Sequence, residues 1–139
     1  MDTPARARLR GACLCRHVGY EVPDAFTYAL NCHCSNCRRA TGSAFKPFAG
    51  ISADQLAVMR GASEIMRHGN GPNHDAHCRQ CGSLLWSLVR EGQFVHVTLG
   101  TLIDTPTIRP QGHIFIASKA AWHVICDGLP QYAELPPSG

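Results

Sequence analysis

The chain has 139 residues, of which 45% are hydrophobic and 17% charged, and its formal net charge is +3. This length is enough for one domain with its own hydrophobic core. Its eight cysteines are below the roughly 8–10% of residues typical of a disulfide scaffold. No segment contains the roughly 18–20 apolar residues that cross a bilayer. A disulfide scaffold and a membrane-spanning protein are therefore excluded.

Residues 1–9 are predicted to form a flexible leader, residues 10–132 one domain, and residues 133–139 a C-terminal tail. The leader carries Arg6 and Arg8, with Arg10 at its border. Three positive charges are a weak footprint for nucleic acid and are more typical of a solvated segment. Because no secretory signal is seen in this leader, we expect a cytoplasmic protein whose thiols bind metal rather than form disulfides.

Short segments separated by glycine, proline or asparagine predict a mainly β domain of antiparallel sheets with few short helical turns. Strands are predicted at residues 18–22, 26–30, 83–89, 94–99 and 113–117, with a hairpin turn at 90–93. Short helical turns are predicted at residues 35–40, ending near Gly42, and at residues 54–58. Residues 69–73 and 130–139 are predicted to be loops.

Seven of the eight cysteines form three motifs, C-x-C, C-x-C-x-x-C and C-x-x-C. In chain order these are Cys13 and Cys15; Cys32, Cys34 and Cys37; and Cys78 and Cys81. Seven thiols divide naturally into four and three. Four thiolates complete a tetrahedral structural zinc site, whereas three leave the fourth position free for water or substrate. This division favours a metalloenzyme with two zinc ions.

The first and last pairs are suited to one structural zinc. Cys13 and Cys15 are expected on one face of an extended segment. Cys78 and Cys81 form a knuckle, and Gly82 provides the backbone freedom for its turn. Joining the pairs through zinc would attach the N-terminal strand to the later hairpin. The alternative is that one pair consists of buried thiols only.

The middle motif has a different character, because Cys32, Cys34 and Cys37 come from one six-residue loop. Three ligands would leave zinc able to polarise an oxygen or to activate water. Alternatively, His33 or another residue completes the coordination and the site is structural. Arg38 and Arg39 follow at once and either offset the thiolate charge or bind an anionic substrate.

The remaining candidate residues are assigned from their sequence context. Cys126 lies in an apolar run and is predicted to be a buried core thiol rather than a ligand. Trp122 is either a core residue or part of a pocket wall, and the core is favoured. His77 is expected to point away from the zinc bound by Cys78. His113 is either a pocket histidine or an ordinary strand-end residue.

These motifs resemble the glutathione-dependent formaldehyde-activating enzyme family, which also includes the centromere protein V proteins. The resemblance covers residues 10–132, and the segments that carry it are 11–15, 32–39, 42–45, 78–83 and 127–132. It implies coiled antiparallel sheets and two zinc ions. By resemblance, Cys13, Cys15, Cys78 and Cys81 bind the structural ion, and Cys32, Cys34 and Cys37 the catalytic ion. The chain differs from the family where Arg16 and His17 replace a usual glycine after Cys15, and where His77 replaces a common aromatic residue.

The family's activity joins glutathione and formaldehyde into S-hydroxymethylglutathione, which is a carbon–sulfur lyase reaction in reverse. The resemblance therefore implies a zinc enzyme that forms or cleaves a thiol–aldehyde adduct, with glutathione as a possible co-substrate. Because no apolar segment is long enough to cross a bilayer, we expect no membrane partner. The alternative is a non-catalytic, zinc-stabilised module that binds a protein or nucleic acid.

Overall fold

The structure is a computed structural model that describes residues 7–137. In this range it contains ten β-strands, one α-helix and four single turns of 3-10 helix. The strands are β1 (Arg8–Ala12), β2 (Gly19–Pro23), β3 (Tyr28–Cys32), β4 (Lys46–Ser52), β5 (Ala57–Arg60), β6 (Ile65–Asn70), β7 (Asn73–Cys78), β8 (Leu84–Val89), β9 (Phe94–Thr98) and β10 (His113–Ile114). The helix α1 is Ser35–Thr41, and the 3-10 turns are Ala53–Gln55, Ala62–Glu64, Leu99–Thr101 and Ile116–Ser118.

The strands form two sheets, one of three strands in the order β1-β2-β5 and one of seven in the order β10-β3-β4-β9-β8-β7-β6. Neighbouring strands are antiparallel except for β10, which is parallel to β3. The predicted mainly β fold with antiparallel sheets and few helical turns is confirmed.

The main hydrophobic core lies between the two sheets. Because side chains alternate along a strand, only one face of the large sheet contributes to it. Ala29, Ala49 and Val97 belong to this face and are fully buried. Tyr20 of the small sheet packs edge-to-face on Trp86 of the large one, with ring centroids 5.4 Å apart. Edge-to-face packing adds to the free energy gained from burying both rings.

The opposite face of the large sheet carries a second, smaller cluster. Its buried members are Cys32, Phe48 and Ile114, one from each of three adjacent strands. Partly buried residues around them include Tyr28, Leu30, Cys34, Cys37, Phe115 and Tyr132. The face of the sheet that is not used by the main core therefore supports three of the motif cysteines.

Several predicted elements are confirmed with small shifts. The early helix begins at Ser35, and Gly42 ends it in the left-handed conformation, with its N–H donating to the carbonyl of Arg38. The β8–β9 hairpin also lies where it was predicted. Residues 54–58 form a 3-10 turn followed by the start of β5.

Three predictions about elements need correction or adjustment. Residues 69–73 are not a loop. β6 continues to Asn70 and β7 begins at Asn73, so a two-residue turn at Gly71 and Pro72 joins the two strands. The strand at 113–117 ends at Ile114, because Phe115 has a φ of 58° that breaks the extended backbone. β1 begins at Arg8, inside the segment predicted as a leader, whose residues 1–6 lie outside the described part of the chain.

Two predicted core residues are instead exposed. Trp122 retains 69% of its accessible surface, and Cys126 is an exposed free thiol. Both lie between Ala120 and Leu129, in a mostly exposed segment that comes after the last 3-10 turn and contains no helix or strand. Their apolar neighbours in the sequence therefore do not form a strand that could bury them.

Gly50 is required by the approach of Tyr28, its partner in the β3–β4 register. A Cβ atom at position 50 would overlap the Tyr28 ring. We predict that Gly50→Ala lowers the free energy of unfolding by about 1–3 kcal/mol through overpacking. Gly100→Ala is the matched control, because no atom would lie within 4 Å of its Cβ. Urea denaturation of both variants tests this, and equal stability of the two would contradict it.

Candidate metal centres and the adjoining cavity

The first candidate metal centre, here called the four-cysteine cluster, consists of Cys13, Cys15, Cys78 and Cys81. All four sulfurs lie within 4.8 Å of one another. Cys15 Sγ lies 3.6 Å from Cys13 Sγ and 3.7 Å from Cys78 Sγ. Four sulfurs about 2.3 Å from one tetrahedral ion would be about 3.8 Å apart. The thiols are therefore spaced to fit a tetrahedral ion.

Local backbone geometry aims these sulfurs inward. Cys13 and Cys15 are not on an extended segment as predicted but in the turn between β1 and β2. The predicted freedom of Gly82 is confirmed by its φ of 82°, and its N–H donates to the carbonyl of Cys78 at 2.7 Å. Backbone N–H groups of Val18 and Gln80 donate to the sulfurs of Cys13 and Cys78, each at 3.3 Å.

Arg16 occupies the position where the resembling family usually has glycine. Its φ is 69°, in the left-handed region that costs a non-glycine residue roughly 1–2 kcal/mol. Arg60 Nε donates to the carbonyl of Arg16 at 3.0 Å and so holds this turn. His17 Nδ1 lies 3.1 Å from Cys15 Sγ. Contacts around the turn thus accommodate Arg16 and His17 after Cys15.

The second candidate centre, the three-cysteine cluster, consists of Cys32, Cys34 and Cys37. Cys32 ends β3, Cys34 is the N-cap of α1, and Cys37 lies in its first turn. The N–H of Cys37 donates to Cys34 Sγ at 3.3 Å. A hydrogen bond between the thiols of Cys32 and Cys37 lowers the pKa of Cys32 and raises that of Cys37. Among the described residues, this cluster contains three ligand atoms, which leaves room for a fourth ligand.

His33 lies between two of these cysteines but turns away from them. It is fully buried, and its Nε2 lies 2.8 Å from Nδ1 of buried His113. Nε2 of His113 in turn lies 2.9 Å from a carboxylate oxygen of Asp127. Burial is the main cause that lowers the pKa of His33 to about 4. His33 and His113 therefore form an internal chain behind the cysteine loop and do not complete its coordination.

A cavity of about 530 Å³ adjoins the three-cysteine cluster and is here called the triad cavity. Cys32 and Cys37 form part of its lining, together with residues of β3, β4, β9 and β10. The C-terminal segment Leu135, Pro136 and Pro137 forms one edge. Two of the three clustered thiols are therefore accessible from a space that can hold a small molecule.

Lys46 is the buried cation of the triad cavity, with 5% of its surface exposed. It opposes Cys32 in the β3–β4 register, and its charge favours the thiolate form of Cys37. Its Nζ donates to Ser87 Oγ at 2.9 Å, and Ser87 donates to Asp75 Oδ1 at 2.6 Å. A hydrogen-bonded chain thus fixes the position of the Lys46 ammonium group.

Tyr28 and His96 form a second polar pair in the triad cavity. Tyr28 Oη lies 2.6 Å from His96 Nε2, and the His96 ring stacks on Phe48 with centroids 4.2 Å apart. Burial, followed by the charges of Lys46 and Arg90, lowers the pKa of His96 to about 4. Neutral His96 can accept a hydrogen bond from the Tyr28 hydroxyl group. Burial raises the pKa of Tyr28, so this hydroxyl group keeps its proton.

Arg38 and Arg39, the predicted anion-binding residues, do not line the triad cavity. Arg38 Nη1 donates to the carbonyl of Ser118 at 3.1 Å. Arg39 lines a separate cavity between α1 and the β6–β7 hairpin. His77 also lines that cavity and is not part of the four-cysteine cluster. The cations that line the triad cavity are Lys46 and Arg90.

Sequence reasoning did not identify Lys46, Tyr28, Arg90 or His96 as site residues. Tyr28 was placed on a predicted strand, but the register that brings Lys46 opposite Cys32 is a tertiary property. The sequence offers one signal for this site, which is that Lys46 lies directly before the apolar run of β4. A lysine in this position usually marks a solvent-exposed strand end, so the sequence does not predict its burial.

Comparison with known proteins identifies the family. The model of the family described as glutathione-dependent formaldehyde-activating enzyme matches residues 8–118. The chain belongs to this family. A search of curated proteins found no match. A crystal structure of a Rhodobacter sphaeroides protein is similar, with 27% sequence identity, a TM-score of 0.58, and coverage of 70% of this chain and 91% of that chain.

Two further observations bear on partners. No helix in the described range is long and apolar enough to cross a membrane. Arg8 pairs with Glu21 at 3.0 Å, and Arg10 makes two bonds of 2.9 Å to the carboxylate of Asp104. Arg8 and Arg10 are thus paired with carboxylates, which neutralise the positive charge that would attract nucleic acid.

The two clusters are expected to differ in their effect on stability. Because the four-cysteine cluster joins two sheets, its metal-binding energy is folding energy, on the order of 10 kcal/mol for structural zinc. We predict that Cys78→Ser lowers the melting temperature far more than Cys34→Ser, which removes only a ligand within one loop. Calorimetry and metal analysis of both variants test this. Equal destabilisation would contradict the division of roles.

The lowered pKa of His96 predicts that the free energy of unfolding depends on pH. In the folded protein its pKa is about 4, whereas an unfolded histidine titrates near 6.5. Between these values the unfolded chain binds the extra proton, so the free energy of unfolding should fall as pH falls from about 6.5 to about 4. His96→Gln should show a weaker fall than the wild type. Parallel urea titrations at pH 7.5 and 5 measure the difference, and identical pH dependence would contradict the assignment.

Proposed function

We propose that this chain is a zinc-dependent enzyme of the carbon–sulfur lyase type, which forms or cleaves thiol–aldehyde adducts. The main support for this proposal is that two thiols of the three-cysteine cluster line a cavity that is also lined by a buried lysine. The four-cysteine cluster has a complete set of four ligands and suits a structural ion. A zinc ion bound by the three-cysteine cluster would supply Lewis acidity toward an aldehyde oxygen.

The proposed reaction is balanced without any other reactant. The sulfur of the thiol substrate forms a bond to the aldehyde carbon, and the thiol proton ends on the former carbonyl oxygen. The reverse reaction breaks the same carbon–sulfur bond. Glutathione and formaldehyde would give S-hydroxymethylglutathione, and the family description names both of these reactants.

The residues of the triad cavity support this chemistry in distinct ways. The ammonium group of Lys46 is placed to stabilise negative charge on an attacking thiolate or on the product oxygen. Tyr28 Oη lies 2.6 Å from His96 Nε2, and its hydroxyl group can also form a hydrogen bond with a bound substrate. The apolar surface of Phe48 limits water beside these groups. Glutathione is the proposed co-substrate, and Arg38 and Arg39, the residues predicted to bind its carboxylates, do not line the cavity in which it would react.

The proposed compartment is the cytoplasm. All eight cysteines are free thiols in the structure, and seven of them belong to clusters suited to metal. Clustered thiols of this kind persist in a reducing compartment.

An activity assay tests the proposed function. Zinc-loaded protein should accelerate the exchange between glutathione, formaldehyde and S-hydroxymethylglutathione, measured by NMR exchange spectroscopy above the uncatalysed rate. Cys34→Ser should lose this acceleration, because it removes one ligand of the three-cysteine cluster. Lys46→Met should reduce it by about tenfold or more, as expected for one lost electrostatic contact.

Cys126→Ser is the matched control, since Cys126 is an exposed thiol outside both clusters. It should retain the wild-type rate. Loss of activity in this control, or full activity in Cys34→Ser, would contradict catalysis at the three-cysteine cluster. Absence of any acceleration by the wild type would contradict the proposed reaction.

A further inference from the structure

The lining of the triad cavity is largely apolar. Besides the two cysteines, its members include aliphatic, aromatic and proline side chains from three strands, from the residue after β10 and from the C-terminal segment. These apolar residues are Tyr28, Leu30, Phe48, Ile114, Phe115, Leu135, Pro136 and Pro137. Each Å² of apolar ligand surface buried here contributes to affinity through the hydrophobic effect. A ligand with an apolar body would therefore gain binding energy that a wholly polar ligand would not.

Apart from the cysteines, the charged side chains that line the same cavity are both positive. Lys46 lies deep in the cavity, and exposed Arg90 lies at its rim, 4.5 Å above the Phe94 ring. No carboxylate of a described residue lines the cavity, and none forms an ion pair with Lys46. The Lys46 ammonium has three N–H donors, of which one is directed to Ser87 Oγ. A buried cation with unused donors is stabilised by an anion that binds beside it.

Formaldehyde and glutathione leave the apolar walls of the cavity largely without a partner. Formaldehyde has two heavy atoms and no charge, and glutathione is polar along its length. A cavity of about 530 Å³ is in the range of sites for larger organic ligands. Aromatic and aliphatic walls with a buried cation at the bottom match a molecule that has both an apolar body and one carboxylate.

We propose that the aldehyde accepted by this site carries an aryl or branched alkyl body and a carboxylate. This inference rests on the proposed function, since it names the substrate class for the same site. The carboxylate would lie toward Lys46 or Arg90, and the apolar body between Phe48, Leu30 and the C-terminal segment. The bond changes are those of the reaction above, with the larger aldehyde in the place of formaldehyde.

A binding series that involves no chemistry tests the ligand class. Isothermal calorimetry with zinc-loaded protein would compare 3-phenylpropanoate with propanoate, which lacks the ring, and with 3-phenylpropanol, which lacks the charge. Propanoate carries the same carboxylate, so carboxylate–metal contact is common to both acids. We expect 3-phenylpropanoate to bind at least about tenfold more tightly than either truncated compound. A Kd no lower than that of propanoate, or equal to that of 3-phenylpropanol, would overturn the inference.

Surface variants keep the test independent of folding. Leu135 is 65% exposed at the edge of the cavity, so Leu135→Ser should leave the fold intact and weaken 3-phenylpropanoate binding by about threefold. Ile103→Ser is the matched control, because Ile103 is a similarly exposed aliphatic residue that does not line the cavity. Arg90→Gln should weaken binding of both acids. Equal affinity in Leu135→Ser and Ile103→Ser would overturn the role of the C-terminal segment.

The aldehyde assay separates the inference from the proposed function. We expect 4-carboxybenzaldehyde with glutathione to show a larger acceleration over its uncatalysed rate than formaldehyde does. Acceleration with formaldehyde alone would overturn the inference and leave the proposed function standing. Tight binding of 3-phenylpropanoate without acceleration for any aldehyde would contradict the proposed function and support the ligand class of the cavity.

Discussion

The convergence of four sulfurs from two separate turns is the constraint on which the rest of the structure depends. Cys13 and Cys15 lie in the turn that joins two strands of the small sheet. Cys78 ends β7 of the large sheet, and Cys81 lies in the turn that follows. The cluster thus fixes where one sheet lies over the other. The packing of Tyr20 on Trp86 and the burial of the main core follow from that position.

The large sheet can carry a chemical site because its second face is not needed for this core. Along β3, β4 and β9, alternate residues point to opposite faces. One set, including Ala29 and Val97, is packed under the small sheet, and the other set, including Cys32, Lys46 and His96, borders the triad cavity. A rigid, fully paired sheet supports reactive side chains without requiring them to stabilise the fold.

The cysteine pattern, the β class, the short helix with its Gly42 cap and the β8–β9 hairpin could be predicted because each depends on local residue types and spacing. β6 and β7 could not, since most of their residues are polar and residues 69–73, where the two strands meet, are typical of a loop. The burial of Lys46 follows from its register against Cys32, a contact between separate strands. Trp122 and Cys126 show the opposite error, in which apolar character predicts burial although the chain offers no strand to bury them.

The spacing of the two clusters along the chain also sets an order for metal acquisition during synthesis. The three-cysteine cluster has all its thiols within six residues, so only a short loop must close to bring them together. The four-cysteine cluster stays incomplete until Cys81 has emerged, several seconds later at translation rates of roughly 5–20 residues per second. A nascent chain short of metal would therefore form its reactive loop before the connection that holds its two sheets in place.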